Sequence, residues 1–330
     1  PESDGKPVRV RLFGEHLVAY RDTDGKANLI GEFCPHRGAS LVYGRNEKCG
    51  LRCLYHGWKF NGSGQVVEMP SEPPGSPLKE KVKHVAYPTV EAGGFIWTYM
   101  GDSESAPRFE EPAFCPNPQT QVSIAKVKIP CNWAQITEGQ IDSAHSSSLH
   151  SSDMVPAPVD SGGATDTKWL RPSTDRAPRF EIQRTPFGFR YVALRRPLKN
   201  STTHDYARVT VYIAPFLSLI PPNTSYNVAT VIVPMDNENS YFYFIAFGAD
   251  GVPSQDSWRE FLHCSVGKDL AEDYTNLRKI DNDFLQDRQA MKNGNYTGIK
   301  GIPNQDIAMW TSMGPIANRS HDTLGASDMA

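Results

Sequence analysis

Residues 34–60 read CPHRGASLVYGRNEKCGLRCLYHGWKF. In this stretch Cys34-Pro35-His36 and Cys53-Leu54-Tyr55-His56 each join one cysteine to one histidine across one or two residues, with sixteen residues between His36 and Cys53. Two thiolates and two imidazoles suit zinc or an iron–sulfur cluster, so ligand count alone does not choose. The pairing does separate the two. Zinc fingers usually set Cys beside Cys and His beside His, whereas here each loop offers one of each. Two similar loops could clasp a two-iron cluster in this way, with the cysteines on one iron and the histidines on the other. Neutral imidazoles in place of two thiolates raise the reduction potential, to about −150 mV or higher, which suits a relay that accepts electrons and passes them on.

The surrounding hundred residues have the pattern of an antiparallel β domain. Residues 8–12, 16–20 and 28–31 are short β-rich runs separated by Gly-containing turns, and 58–60 with 65–67 around Asn61-Gly62-Ser63-Gly64 predict a hairpin. The proline-rich stretch 69–77 predicts an irregular surface loop, and strands are expected near 82–88 and 94–99. A linker with four prolines covers 102–118, which sets the expected domains at 1–105 and 106–330. The chain has 330 residues, enough for two cores, and a net charge of −3, which argues against a nucleic-acid partner. No apolar run reaches membrane-span length and no basic-then-apolar leader is present, so a soluble, cytoplasmic protein is expected. Six cysteines are too few for a disulfide framework, and Cys49, Cys115, Cys131 and Cys264 read as small buried side chains. His16 and His84 have no ligand spacing.

In the second half, residues 131–150 read CNWAQITEGQIDSAHSSSLH. Trp133, Ile136, Thr137, Ile141 and Ala144 recur at helical intervals, with Asn132 as the cap. On such a helix Asp142 and His145 share a face. His145 and His150 would stand about 140° apart on a regular helix, so a π-bulge or a break is expected at Ser146-Ser147-Ser148. Two histidines with one carboxylate and open positions are the usual non-haem Fe(II) arrangement, and an electron relay needs such a destination. Five further β runs, near 180–183, 188–194, 207–213, 226–233 and 240–247, precede a long helix expected over 258–291. Pattern alone supports only an α+β class for this half.

CPHRGA and CLYHGWKF resemble the Rieske motifs of aromatic-ring-hydroxylating oxygenases, and NWxxxxExxxDxxHxxxxH is similar to the mononuclear-iron motif of their α-subunits. The resemblance implies a Rieske [2Fe–2S] cluster on Cys34, His36, Cys53 and His56, and a mononuclear Fe(II) on His145, His150 and Asp306. Asp306 stands in Asn304-Gln305-Asp306-Ile307-Ala308-Met309-Trp310, four residues before the tryptophan. Asp281, Asp283 and Asp287 are alternatives that read as solvated charges. The implied architecture is an N-terminal all-β Rieske domain and a C-terminal helix-grip domain, an antiparallel sheet around a helix. Asp142 is implied to link His145 of its own subunit to His56 of a neighbour, which requires a head-to-tail ring, a trimer or a pair of stacked trimers.

From Arg171 to Arg208 the chain carries eight arginines, mostly a solvated basic face, with one or two expected to turn inward. IDSAHSSSLH, GIKGIPNQDIAMW and RSHDTLGASD look much like the oxygenase components of phthalate dioxygenases. That resemblance implies an aromatic dicarboxylate substrate, phthalate, held by Arg171 and Arg208 with a hydroxyl contact from Ser143. Guanidinium suits such a partner because it meets a carboxylate with two parallel N–H donors. The reaction implied is cis-dihydroxylation of the ring by O₂, with electrons from NADH through a separate flavin or iron–sulfur reductase, since no Gly-rich dinucleotide motif follows a strand here. Related oxygenases of isophthalate or phenoxybenzoate, a monooxygenase or demethylase, and a Rieske electron-transfer protein are the rival readings.

Overall fold

The computed structural model describes residues 2–115, 117–158 and 169–329. The chain divides into two compact units, Pro1–Pro116 and Asn117–Ala330.

In the first unit, Val8–Leu12, Glu15–Arg21, Ala27–Gly31 and Ala86–Tyr87 form one antiparallel sheet in that order. A second sheet runs Arg45–Glu47, Gly50–Arg52, Lys59–Phe60, Val66–Glu68. The hairpin after Trp58 forms where the Asn61–Gly64 turn predicts it, with Asn61 Oδ1 accepting from the N–H groups of Ser63 and Gln65. The strands at Arg45–Glu47 and Gly50–Arg52 were not expected, because three residues are too short to show an alternation. Val18, Tyr20, Ile30, Leu41, Leu51, Trp58 and Phe60 make the core, and Cys34 and Cys53 belong to it. Burying a side chain such as Leu51 contributes about 1.5–3 kcal/mol, and Leu51 sits two residues before Cys53. The motif is thus fixed on the packed interior of this unit.

The second unit is built on a seven-stranded antiparallel sheet. Its spatial order is Gln121–Ile129, Ser240–Gly248, Asn227–Pro234, Leu217–Ile220, Tyr206–Ile213, Gly188–Arg195, Arg179–Thr185. Gln121–Ile129 escaped the sequence reading because two of its inward positions are Ser123 and Ala125, which carry little apolar signal. Helices Trp133–Ile141 and Ile302–Ser312 share the core with the sheet, and Gln255–Phe261 packs on its strand Gln121–Ile129. Asn132 caps the first through Ala134 N–H at 3.0 Å, and Pro303 lies in the opening turn of the second, where its missing N–H costs nothing.

These helices meet closely at Gly139, where a Cβ would come within 2.2 Å of Trp310 Nε1. Buried Gln135 fastens the same contact, donating to Trp310 O at 2.9 Å and Gly314 O at 3.1 Å while accepting from Ala317 N–H at 2.8 Å.

Two expectations are corrected. The helix ends at Ile141, so Asp142 is not on it but at its extended C-terminal cap (ψ 117°). The break therefore precedes the serines, and His145–Ser147 begin a fresh 3₁₀ turn. The long helix over 258–291 does not form. Gln255–Phe261 is helical, and then His263, Tyr274, Asp283 and Phe284 adopt positive φ, which no continuing right-handed helix accepts. Polar side chains there bond to their own backbone instead, as Asp273 does to Thr275 N–H at 3.1 Å and Asp269 to Ser265 N–H at 3.2 Å. Among the described residues no helix is long and apolar enough to cross a membrane.

Candidate active site

In the first unit the two Cys/His loops close in the same way. Cys34 N–H donates to Ala39 O at 2.9 Å and Gly38 N–H to Cys34 O at 2.8 Å; Cys53 N–H donates to Trp58 O at 2.8 Å and Gly57 N–H to Cys53 O at 3.1 Å. Gly38 and Gly57 make the turn with φ of 73° and 75°, a conformation glycine adopts without a Cβ penalty. The His36 and His56 rings lie 4.4 Å apart, and His36 stacks on Trp58 at 4.5 Å. Trp58 was not singled out from the sequence as part of the site, although it follows His56 within the motif.

Three features fit these residues to a two-iron cluster. Nδ1 of His36 and Nδ1 of His56 are buried without a hydrogen-bond partner, the state of ring nitrogens reserved for a metal. Burial, and after it the adjacent Cys53, pushes the Cys34 thiol up to about 11, so a thiolate there calls for metal charge beside it. Among the described residues no three of Cys34, His36, Cys53 and His56 bring ligand atoms within 4.8 Å of one another, as a single tetrahedral zinc would require. Of the other cysteines, Cys131 and Cys264 are buried as expected; Cys49 and Cys115 are only half-buried, Cys49 because its thiol reaches outward to Asp24.

The second unit does bring three ligands to one point. Nε2 of His145 and Nε2 of His150 are 3.2 Å apart, and Oδ1 of Asp306 lies 3.4 Å from the first and 3.2 Å from the second. Two imidazoles and a carboxylate on one side of a common centre leave the opposite positions open, which fits a mononuclear iron that must admit another molecule. Asp281, Asp283 and Asp287 are not among these ligands, and Asp287 instead caps the helix Arg288–Lys292.

Each histidine is oriented through its other nitrogen. His145 Nδ1 meets Asp142 Oδ2 at 3.1 Å, and Asp142 also accepts from Ala144 N–H at 2.6 Å and His145 N–H at 3.1 Å. Burial would raise the Asp142 carboxyl, but the hydrogen bond and charge of His145 and the two N–H groups hold it below the usual carboxylate range. His150 Nδ1 lies 2.7 Å from Gln305 Oε1, while Gln305 Nε2 donates to Asp153 Oδ2 at 2.7 Å and Ile299 O at 2.9 Å. Both amide protons are committed to acceptors, so the oxygen must face His150, Nδ1 must carry the proton, and Nε2 is left to bind metal. Burial pulls His150 down, but the charge of Asp306 and its hydrogen bond outweigh this and leave it raised. The field that favours a proton on that ring favours a metal cation in the same place. Gln305 was missed in the sequence; its only signal was a polar residue directly before Asp306.

The cleft over this centre is lined by Asp142, Ser143, His145, His150, Arg208 and Asp306 on its polar side, and by Met154, Trp169, Ile220, Phe244 and Ile302 on its apolar side. Arg208 donates to Pro221 O at 3.0 Å and leaves Nε and Nη1 buried without a partner. Arg171 does not line the cleft. It is buried behind the wall, donating to Ser146 O at 3.0 Å and Met154 O at 3.2 Å with Nε unpartnered.

An all-β unit with paired Cys/His loops, followed by an antiparallel-sheet unit holding a two-histidine, one-carboxylate centre, defines a Rieske-type non-haem iron oxygenase. The chain belongs to that family: residues 2–88 match the Rieske [2Fe-2S] domain and residues 98–330 the LigXa C-terminal domain-like family. Its cofactors are accordingly a Rieske [2Fe–2S] cluster and a mononuclear iron. The phthalate 4,5-dioxygenase oxygenase subunit of Pseudomonas putida is 60% identical over 330 residues, covering 100% of this chain and 75% of that protein. The 3-chlorobenzoate-3,4-dioxygenase oxygenase subunit of Comamonas testosteroni is 34% identical, covering 99% and 78%. Dicamba monooxygenase bound to 3,6-dichlorosalicylic acid shares the fold at a TM-score of 0.63 and 19% identity, covering 94% of this chain and 92% of that one.

Proposed function

We propose that the chain is the oxygenase component of a phthalate dioxygenase that adds both atoms of O₂ to the ring of phthalate, at the 4,5 bond, to give a cis-dihydrodiol. The observation that carries this reading is Arg208: a buried guanidinium with two unpartnered nitrogens, on the wall of a cleft whose floor is His145, His150 and Asp306. The 60%-identical subunit that acts on phthalate supports the same substrate.

When bound, the cluster supplies electrons singly and the ferrous ion activates O₂. The protein's part is positioning. Arg208 and the Ser143 hydroxyl are assigned to the substrate carboxylates, with Arg171 adding its charge from behind the wall, and Trp169, Phe244 and Ile220 provide apolar surface for the ring and keep water from it. Asp142 and Gln305 hold the two imidazoles with Nε2 inward. Asp142 is assigned a second task as a bridge to His56 of a neighbouring copy, in a trimer or stacked trimers. Electrons are expected from NADH through a separate reductase, in the cytoplasm where that donor is available.

Oxygen uptake stimulated by phthalate with ¹⁸O₂ tests the reaction. Two labelled atoms in one dihydrodiol are expected; a hydroxyphthalate with a single labelled atom would make the protein a monooxygenase instead.

A further inference from the structure

Arg195 is 2% exposed and lies on the strand Gly188–Arg195, beside the strand that carries Arg208. It donates to Ser143 O at 2.8 Å, with longer contacts to the hydroxyls of Ser147 at 3.4 Å and Ser143 at 3.5 Å. Its Nε has no partner. Among the described residues no carboxylate stands within ion-pair distance of it; the nearby Asp175 pairs with Arg196. Arg171 and Arg208 repeat this arrangement, each with Nη2 on backbone carbonyls and Nε unsatisfied. Burial first, and then the charges of Arg208 and Arg171, together lower Arg195 to about 10; burial, then Arg208, also lowers Arg171. A guanidinium keeps its charge at neutral pH.

Three guanidiniums that repel one another and share a buried region, held by backbone carbonyls and serine hydroxyls and by no carboxylate among the described residues, form an unpaired positive cluster. Carbonyl dipoles solvate such charges but do not cancel them. A ligand with one carboxylate would answer one of the three, and a second carboxylate would answer another. We propose that Arg195 is a specificity-determining residue: placed behind Ser143 rather than on the cleft surface, it supplies the charge that makes the site prefer a doubly over a singly charged aromatic acid. This rests on the dicarboxylate reading above and extends it from the cleft wall to the layer behind.

The test is anaerobic calorimetric titration of the iron-loaded holoenzyme with phthalate and with benzoate, for the wild type, Arg195→Gln and Arg195→Lys. Glutamine keeps an N–H donor for Ser143 O without the charge, and lysine keeps the charge without the planar fork. Iron content and the visible spectrum of the cluster verify that each variant is assembled. For Arg195→Gln the phthalate-to-benzoate affinity ratio is expected to fall about tenfold, the size of one unscreened charge at several ångströms in a partly buried site. For Arg195→Lys it should stay within about threefold of the wild type. An unchanged ratio in Arg195→Gln, or equal losses for both ligands, overturns the proposal by reducing Arg195 to a structural staple. If Arg195→Gln does not fold, Arg195→Met takes its place in the same titration: a fallen ratio, kept in Arg195→Lys, supports the charge role, and an unchanged ratio overturns it. A wild type that binds benzoate as tightly as phthalate would sink the dicarboxylate reading itself, which no variant result can mimic.

Discussion

Gln305 accepts the Nδ1 proton of His150 at 2.7 Å, and the next residue along the helix, Asp306, brings Oδ1 to 3.2 Å from Nε2 of the same ring. One turn of helix therefore supplies both a ligand and the group that aims another ligand. Replacing Gln305 by Leu frees the ring to rotate and to take the other tautomer. Iron affinity is expected to fall about 10–100-fold, measured by competitive chelation, with the cluster's visible spectrum unchanged.

His150→Ala removes a ligand outright. The purified variant should lose the mononuclear iron and keep the two irons of the cluster, as read by metal analysis and visible absorption. Bleaching of the cluster would contradict two separate sites.

Arg208→Met removes a guanidinium whose expected partner is a substrate carboxylate. Leaving that carboxylate unpaired in a buried site costs about 3–5 kcal/mol, so phthalate affinity should drop by upwards of about a hundredfold. Benzoate should lose far less. Equal losses would move Arg208 out of the substrate site.

Asp142→Asn keeps the shape of the cap and removes the charge. All irons should stay, while reoxidation of the reduced cluster in a single turnover slows. Unchanged kinetics would leave Asp142 only its contact with His145 and remove the intersubunit bridge.

Gly139→Ala tests the helix contact that sets the distance between the histidine turn and Asp306. The added methyl would sit 2.2 Å from Trp310 Nε1, whose indole is itself buried and has nowhere to move. Overpacking of this kind costs about 1–3 kcal/mol. A lower melting temperature together with weaker iron retention is expected; a lower melting temperature with iron binding intact would show that the helices move as one body.

The cluster loops were legible from the sequence because each holds its ligands within a few residues, and a local hydrogen-bond pattern fixes their shape. Asp306 was legible only through the family resemblance, by its place four residues before Trp310, since nothing local ties it to His145. The Asp142 to His145 contact was anticipated for an incorrect reason. It comes from a carboxylate just past the helix end that accepts the Ala144 and His145 N–H groups, not from two residues sharing a helix face. Arg195 could not be told from its solvated neighbours because alternation along a strand shows which residues share a face without showing which face is buried, and Arg196 beside it is exposed. The helix expected over 258–291 failed where several side chains prefer to bond their own backbone, a competition that helical periodicity does not register.

The matched closure of the loops at Cys34 and Cys53, each held by its own pair of backbone bonds around a left-handed glycine, has one more implication. A scaffold whose two jaws are set by main-chain geometry has little reason to flex when the charge between them changes by one unit. Small nuclear displacement means a low reorganisation barrier, so the cost of each one-electron transfer would fall mainly on distance and driving force.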